Sequence, residues 1–335
     1  MNTLALIWLG LIAFTVMMYV ILDGFTLGIA LLFPWIKSSE DRDIMISSVL
    51  PVWDGNETWL VFAAAALYAG FPEAFGALMT ALYLPLMVLI VGLLLRGVSF
   101  EFIHKATKTS AHIWEKCFCI GSCMAVFAQG IFVSQFIQGF SRDPKSGEIV
   151  AGFIGNPLNI FCIIALLVGY SLLGSARLIK KTEGSLQEKL FTISNRLQWV
   201  LLIALILIGL FSPPTSNNAH KIWFVLPHSP FMVFFILTVT LLMVFHAIGI
   251  KHRKEQVPFP ALVGIFVITY LGFGLNTLPY IVPYQLTFMD AKVDDHALLI
   301  MLYGASVLLP LLLAYTFYAY HVFRGKINAN KKVSY

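Results

Sequence analysis

Long apolar runs separated by short polar stretches organise this chain, and their lengths set the elements to expect. An α-helix rises about 1.5 Å per residue, so roughly 20 apolar residues cross a hydrocarbon core of ~30 Å. Nine runs read as spans, at 4–33, 45–71, 74–96, 113–139, 153–176, 197–212, 229–250, 258–282 and 297–323. The sixth is the shortest, and Trp199 with the Pro213-Pro214 stop fits a span flanked by an interface. The expected fold is all-α: a polytopic integral membrane protein of about nine transmembrane helices, forming one transmembrane domain over residues 1–335.

The polar stretches orient these spans. All but four of the 22 lysines and arginines fall in the tail or around the loops after spans one, three, five and seven. Basic residues concentrate on the cytoplasmic side, and gaining or losing a span would scramble this alternation. The N-terminus is therefore expected outside, and the tail with Arg324, Lys326, Lys331 and Lys332 in the cytoplasm. The first run starts near Leu4 with no basic segment before it and no small-residue cleavage site behind it, which reads as a retained span. The longest loops, 141–152, 177–196, 213–228 and 283–296, are too short to hold a domain with its own core.

Composition agrees with lipid as the solvent: 59% of residues are hydrophobic and 12% charged. The net charge of +5 follows from topology, so no nucleic-acid partner is expected. Cys117, Cys119, Cys123 and Cys162 lie in apolar runs without metal-ligand spacing and read as small apolar fillers.

Ionisable groups at membrane depth are costly and point to function. Asp23 in "VILDGFTLGIALLFP" and Asp54 in "LPVWDGNETWLVF" each lie about ten residues from the cytoplasmic end of their spans, or ~15 Å in. Joined by a short loop, the two spans are neighbours, and the carboxylates are expected to share one pocket. Glu57 continues the line one turn outward. Arg96 in "GLLLRGVSFEF" is the nearest candidate counter-ion, and Glu101 the acid at the cytoplasmic mouth. Such a row suits a proton path, because burial brings carboxyl groups toward exchange at working pH.

Structural readings stand beside these. In D-G-N-E, Asp54 could cap a helix with Glu57 as its capping-box partner. Asp23 followed by Gly24 and Gly28 could mark a kink, and Arg96 could snorkel to the inner interface. Trp53 and Trp59 could equally pack or anchor, and with Asn56 and Thr26 they are the supporting candidates around the acids.

An intramembrane haem needs axial ligands on facing helices at matched depth. Of eight histidines, His104, His112, His220, His228, His252 and His296 fall in or beside loops; His246 and His321 lie in spans near the cytoplasmic end. One haem between that last pair stays open, against a satisfied interfacial histidine at each position. Gly-rich phosphate loops, metal clusters and nucleophile constellations are absent from the sequence, so redox cofactors are expected on another subunit.

Four stretches, "LDGFTLG", "PVWDGNETWL", "LLLRGVSFEF" and "LPYIVPYQLTFMDA", taken in order on the nine-span profile, resemble subunit II of the cytochrome bd quinol oxidase family, essentially end to end. The resemblance implies a haem-bearing subunit I as partner, carrying haems b and d, in a complex that oxidises quinol and reduces O2 to water with cytoplasmic protons. It implies the cytoplasmic (inner) membrane of a prokaryote, a structural quinone as in some members, and a possible small accessory subunit, with no cofactor clearly bound by this chain. Asp23 and Asp54 match the acidic positions of the family's intramembrane proton route. Where the family often has an acid, in the GFDLG position, this chain has Thr26, whose hydroxyl can still relay a proton through water. Its compact later loops are similar to those of the cyanide-insensitive branch.

Two rival functions remain open at this point. A proton-coupled secondary transporter would also use buried acids near Gly-broken helices, and a membrane scaffold would use them only as caps and partner contacts.

Overall fold

The computed structural model describes residues 2–103, 105, 108–152, 155–213 and 229–327. Expectations that fall on the start of the span at 153, on Pro214 and the loop beyond it, on His104, His220 and His228, and on Lys331 and Lys332 lie outside the described residues. The fold is 82% helical. Its helices are α1 (Asn2–Leu31), α2 (Ser39–Val49), α3 (Trp53–Gly70), α4 (Pro72–Ala81), α5 (Tyr83–Ile103), α6 (Lys108–Gln138), α7 (Pro157–Lys181), α8 (Gly184–Phe211), α9 (Ser229–Lys251), α10 (Pro258–Thr277), α11 (Phe288–Ala291) and α12 (Asp295–Val322). Two small antiparallel hairpins, β1 (Ser141–Arg142) with β2 (Ile149–Val150) and β3 (Tyr280–Val282) with β4 (Leu286–Thr287), lie between helices.

Among the described residues eight helices are long and apolar enough to cross a membrane alone; α3 and α4 pass that test together but are bent by 120°. α3 makes the crossing of this pair. Near one end Asn56 meets Tyr320 at the close of α12, and at the other the Gly70 carbonyl accepts from the Val293 amide just before α12 begins, at 3.0 Å. Its 18 residues span about 27 Å. With α3 counted, the described residues make nine crossings.

Two expected spans are corrected. The run at 45–71 is two helices, because Pro51 supplies no amide hydrogen where α2 would continue into α3. α2 carries the charges and buries Asp41 and Ser47 as well as Met45, Ile46 and Val49, of which the last three join the apolar core. The run at 74–96 is also divided. α4 buries Ala74 and Leu78 in a cluster with Phe71, Ile281, Val282 and Phe288, so its apolar surface is covered by the hairpin end of the protein and does not span. The crossing belongs to α5, which reaches Ile103, and Arg96 accordingly lies seven residues inside the helix end. α8 starts at Gly184, earlier than expected, because Leu186, Leu190 and Phe191 bury a face beneath its polar first turns.

Ion pairs gather the basic loops at one end. Arg42 binds Glu115 at 2.7 Å, Lys189 binds Asp41 at 2.8 Å, and Arg253 binds Glu188. Lys326, past α12, reaches Glu255 at 2.8 Å and Glu183 at 3.1 Å, and its hydrogen bond holds the Glu255 carboxyl below the usual carboxylate range. At the opposite end Trp8 Nε1 donates to the Leu298 carbonyl at 3.0 Å and Gln285 Nε2 to the Phe140 carbonyl at 2.7 Å.

Gly24 and Gly28 do not break α1, which runs unbroken to Leu31. They admit α7: a Cβ on Gly28 would stand 1.7 Å from the Tyr170 carbonyl oxygen, and one on Gly24 would stand 2.6 Å from the Tyr170 ring. Small residues thus bring helices into backbone contact where lipid gives no hydrophobic drive.

Candidate functional site

Three charged side chains from three helices meet inside the bundle. Arg96 of α5 donates from Nη1 to Asp23 Oδ1 of α1 at 2.8 Å and from Nη2 to Glu57 Oε1 of α3. The Arg96 and Asp23 side chains are fully buried, while Glu57 keeps 27% of its side-chain surface exposed. Among the described residues, Asp23 Oδ2 and Arg96 Nε are buried without a hydrogen-bond partner. Arg96 is therefore an internal counter-ion shared by two carboxylates and does not snorkel to the interface. Its depth follows from α5 running on to Ile103.

Helical geometry decides how α3 presents its polar residues. Asn56 faces α1, and its Nδ2 donates to the Leu22 carbonyl at 2.9 Å and to Thr26 Oγ1 at 3.3 Å. At about 100° per residue, Glu57 then sits at the edge of the buried face and Asp54 on the far side. Asp54 is exposed, beside Gly55, which packs on the Tyr315 ring of α12. The expectation that Asp23 and Asp54 share a pocket is thus corrected: the acid paired with Asp23 through Arg96 is Glu57. The capping-box reading fails as well. Val52 occupies the cap position without a side-chain bond, Asp54 is already in the first turn, and Glu57 reaches for Arg96.

The remaining candidates fall around this centre. Trp59 is completely buried and meets Phe14 edge-on at 5.9 Å; Trp53 stacks on Phe100 at 4.9 Å. Thr26 returns its hydroxyl hydrogen to the Leu22 carbonyl at 3.3 Å. Glu101 is exposed in the last turn of α5, two residues before Ile103, and pairs with Lys105 at 2.9 Å.

Several polar partners of the centre were not singled out from the sequence. Tyr320 donates to Asn56 Oδ1 at 2.9 Å. Tyr170 of α7 donates to Gln129 Oε1 of α6 at 2.7 Å, and Gln129 Nε2 donates to the Tyr19 hydroxyl of α1 at 3.1 Å. Tyr19 is one turn from Asp23 on the same face. That spacing was the one readable signal; the others need the tertiary fold.

His246 is buried on α9 against Gln198 of α8 at 3.1 Å, whereas His321 lies exposed on α12 against Phe317. They do not form a facing axial pair, so this chain's residues do not fit a haem there. Among the described residues no group of three or more His, Cys, Asp and Glu could hold a metal ion.

Nine apolar crossings around a buried carboxylate–arginine cluster define a multi-pass membrane protein. Comparison with known proteins sharpens that class. The cytochrome bd terminal oxidase subunit II family matches residues 4–323, and the chain belongs to that family. It is 22% identical over 340 residues to cytochrome bd ubiquinol oxidase subunit 2 of Bacillus subtilis (strain 168), covering 98% of each chain. It is 24% identical over 362 residues to cytochrome bd-I ubiquinol oxidase subunit 2 of Escherichia coli (strain K12), covering 97% of this chain and 96% of the other. The fold matches a chain of the bd oxidase from Geobacillus thermodenitrificans with a TM-score of 0.78 and 18% identity, over 96% of this chain and 98% of that one. The protein is thus a subunit of a respiratory terminal oxidase, a quinol:oxygen oxidoreductase complex. This sets the transporter alternative aside.

Proposed function

We propose that this subunit delivers protons from the cytoplasm to an oxygen-reducing haem site on its partner and stabilises the complex. One observation carries the reading: a buried Asp23–Arg96–Glu57 cluster opens, through the half-exposed Glu57, onto the α3 face that bears Asp54. Asp54 is the second residue of α3 and Glu57 the fifth, so both lie in the first turns at the basic end of this crossing, where a carboxylate left facing lipid is still unfavourable. The α3 face is therefore the side that the haem-bearing subunit I covers. The basic end is the cytoplasmic end, with the N-terminus outside, as the positive-inside rule requires.

In this reading Glu101 stands near the entrance, Asp54 takes protons up along α3, and Glu57 hands them on beside Arg96. Asn56, Thr26 and Tyr320 hold α1, α3 and α12 in register. Haems b and d reside on subunit I and supply the oxygen chemistry, and quinol and O2 react at the level of the complex in the cytoplasmic membrane. A structural quinone and a small accessory subunit complete the assembly.

The test replaces Asp54 with Asn in the assembled complex. Slowed quinol oxidase turnover with haems fully loaded supports proton delivery. Wild-type turnover with loaded haems rejects it, and loss of haem or of assembly assigns Asp54 to structure instead.

A further inference from the structure

The cluster holds one cation and two carboxylates, so with both acids ionised it carries a net negative charge away from water. Two carboxylates in one buried site keep a proton between them, because the second ionisation is opposed by the first. Which acid holds it follows from the hydrogen bonds. Tyr170 donates to Gln129, and Gln129 donates to the Tyr19 oxygen. Tyr19 therefore accepts one bond and still has its own hydrogen to give, in a position where only 3% of the residue is exposed. Its hydroxyl lies within reach of the Asp23 carboxyl one turn on, where Oδ2 is the buried oxygen without a partner.

We infer that the Tyr170–Gln129–Tyr19 chain ends on Asp23 Oδ2, that Asp23 is the fixed carboxylate of the cluster, and that the exchangeable proton resides on Glu57. Asp23 then receives donors on both oxygens, Arg96 on Oδ1 and Tyr19 on Oδ2. Among the described residues Glu57 receives Arg96 Nη2 alone, and it is the member of the cluster with part of its side chain exposed. The groups facing the cluster are consistent with this division. α6 and α7 contribute neutral Gln129 and Tyr170, α12 reaches α3 through neutral Tyr320, and the further acid, Asp54, adjoins Glu57 on α3. The further acid thus lies on the Glu57 side of the cluster, away from Asp23. Arg177, the next cation, lies over the Phe25 and Tyr320 rings, 5.4 and 5.3 Å from their centroids. Tyr19 is in this sense a positioning residue, and the inference rests on the proton-delivery reading only for its use in turnover.

Infrared spectra of the assembled complex in 1H2O and 2H2O test the assignment. A protonated-carboxyl band that shifts with solvent deuterium and with 13C-carboxyl glutamate labelling is expected, and Glu57→Gln should abolish it. Tyr19→Phe should move part of that intensity to a band sensitive to aspartate labelling, while haem loading stays intact. A cluster band that follows aspartate labelling in the wild type, or wild-type and Glu57→Gln spectra that do not differ in this region, overturns the inference. Turnover separates the two readings: a Glu57 proton with undiminished oxidase activity in Glu57→Gln keeps the assignment and rejects proton delivery through it.

Discussion

Removal of the shared cation is the most severe single change the centre can suffer, and its cost can be worked from the contacts. Arg96→Met keeps a long apolar side chain on α5 but takes the shared cation from a fully buried Asp23 and from Glu57. Breaking a buried pair from one side costs roughly 3–5 kcal/mol, because the remaining charge is left uncompensated. At about 1.4 kcal/mol per tenfold, that is a loss of between 10² and 10⁴ in the folded-to-unfolded ratio, a large share of the ~5–15 kcal/mol typical of folded proteins. Asp23→Asn is milder, since Arg96 keeps Glu57 and the amide can still accept from Nη1. Combining the two removes cation and buried anion together, and the double variant should be more stable than the sum of single losses by roughly 0.5–3 kcal/mol. Unfolding of the purified complex in mild detergent, with the visible haem spectrum as a check on assembly, measures all three. A wild-type unfolding transition for Arg96→Met, or strict additivity in the double variant, would refute the shared-cation geometry.

Two other predictions concern the packing around this centre. Gly28→Ala should abolish assembly, since its Cβ would fall 1.7 Å from the Tyr170 carbonyl oxygen, whereas Gly10→Ala, with nothing within 4 Å, should yield normal amounts of complex by blue-native gel. Arg177 lies 5.3–5.4 Å over the rings of Phe25, Phe259 and Tyr320 and so ties α7 to α1, α10 and α12; Arg177→Leu should destabilise the complex by about 1–3 kcal/mol, at ~0.5–2 per ring contact and less than additively, read as a lowered unfolding temperature.

Hydropathy made most of the helices legible, but it could not distinguish an apolar helix in lipid from an apolar helix under protein. α4 is as apolar as a span, yet beside the adjacent Phe71 it is covered by Val282 and Phe288, about 200 residues further along the chain. That ambiguity displaced the third span toward the N-terminus and put Arg96 at an interface on paper. With the span ending at Ile103, the same residue lies about two turns inside. One boundary therefore changed the chemistry assigned to one side chain.

The acids show a complementary limit. Depth by counting held for Asp23, eight residues before the end of α1, but not for Asp54: with the run at 45–71 divided at Pro51, Asp54 is the second residue of α3 and lies at the end of the crossing, not ~15 Å inside it. Azimuth is not readable by counting, because it depends on which face α3 turns toward α1, and that is set by Asn56 bonding to the Leu22 carbonyl and Thr26. Once Asn56 faces α1, helical rotation leaves Glu57 at the boundary between the buried cluster and the exposed face, with Asp54 beyond it. The position matters for function. A carboxyl sealed with Arg96 would be a static ion pair, and one wholly on the surface would feel neither the cation nor the buried anion. Glu57 alone of the three acids touches Arg96 and remains open to the face where a partner can sit, so the boundary position, more than the presence of buried charge, is what makes this cluster suited to exchange.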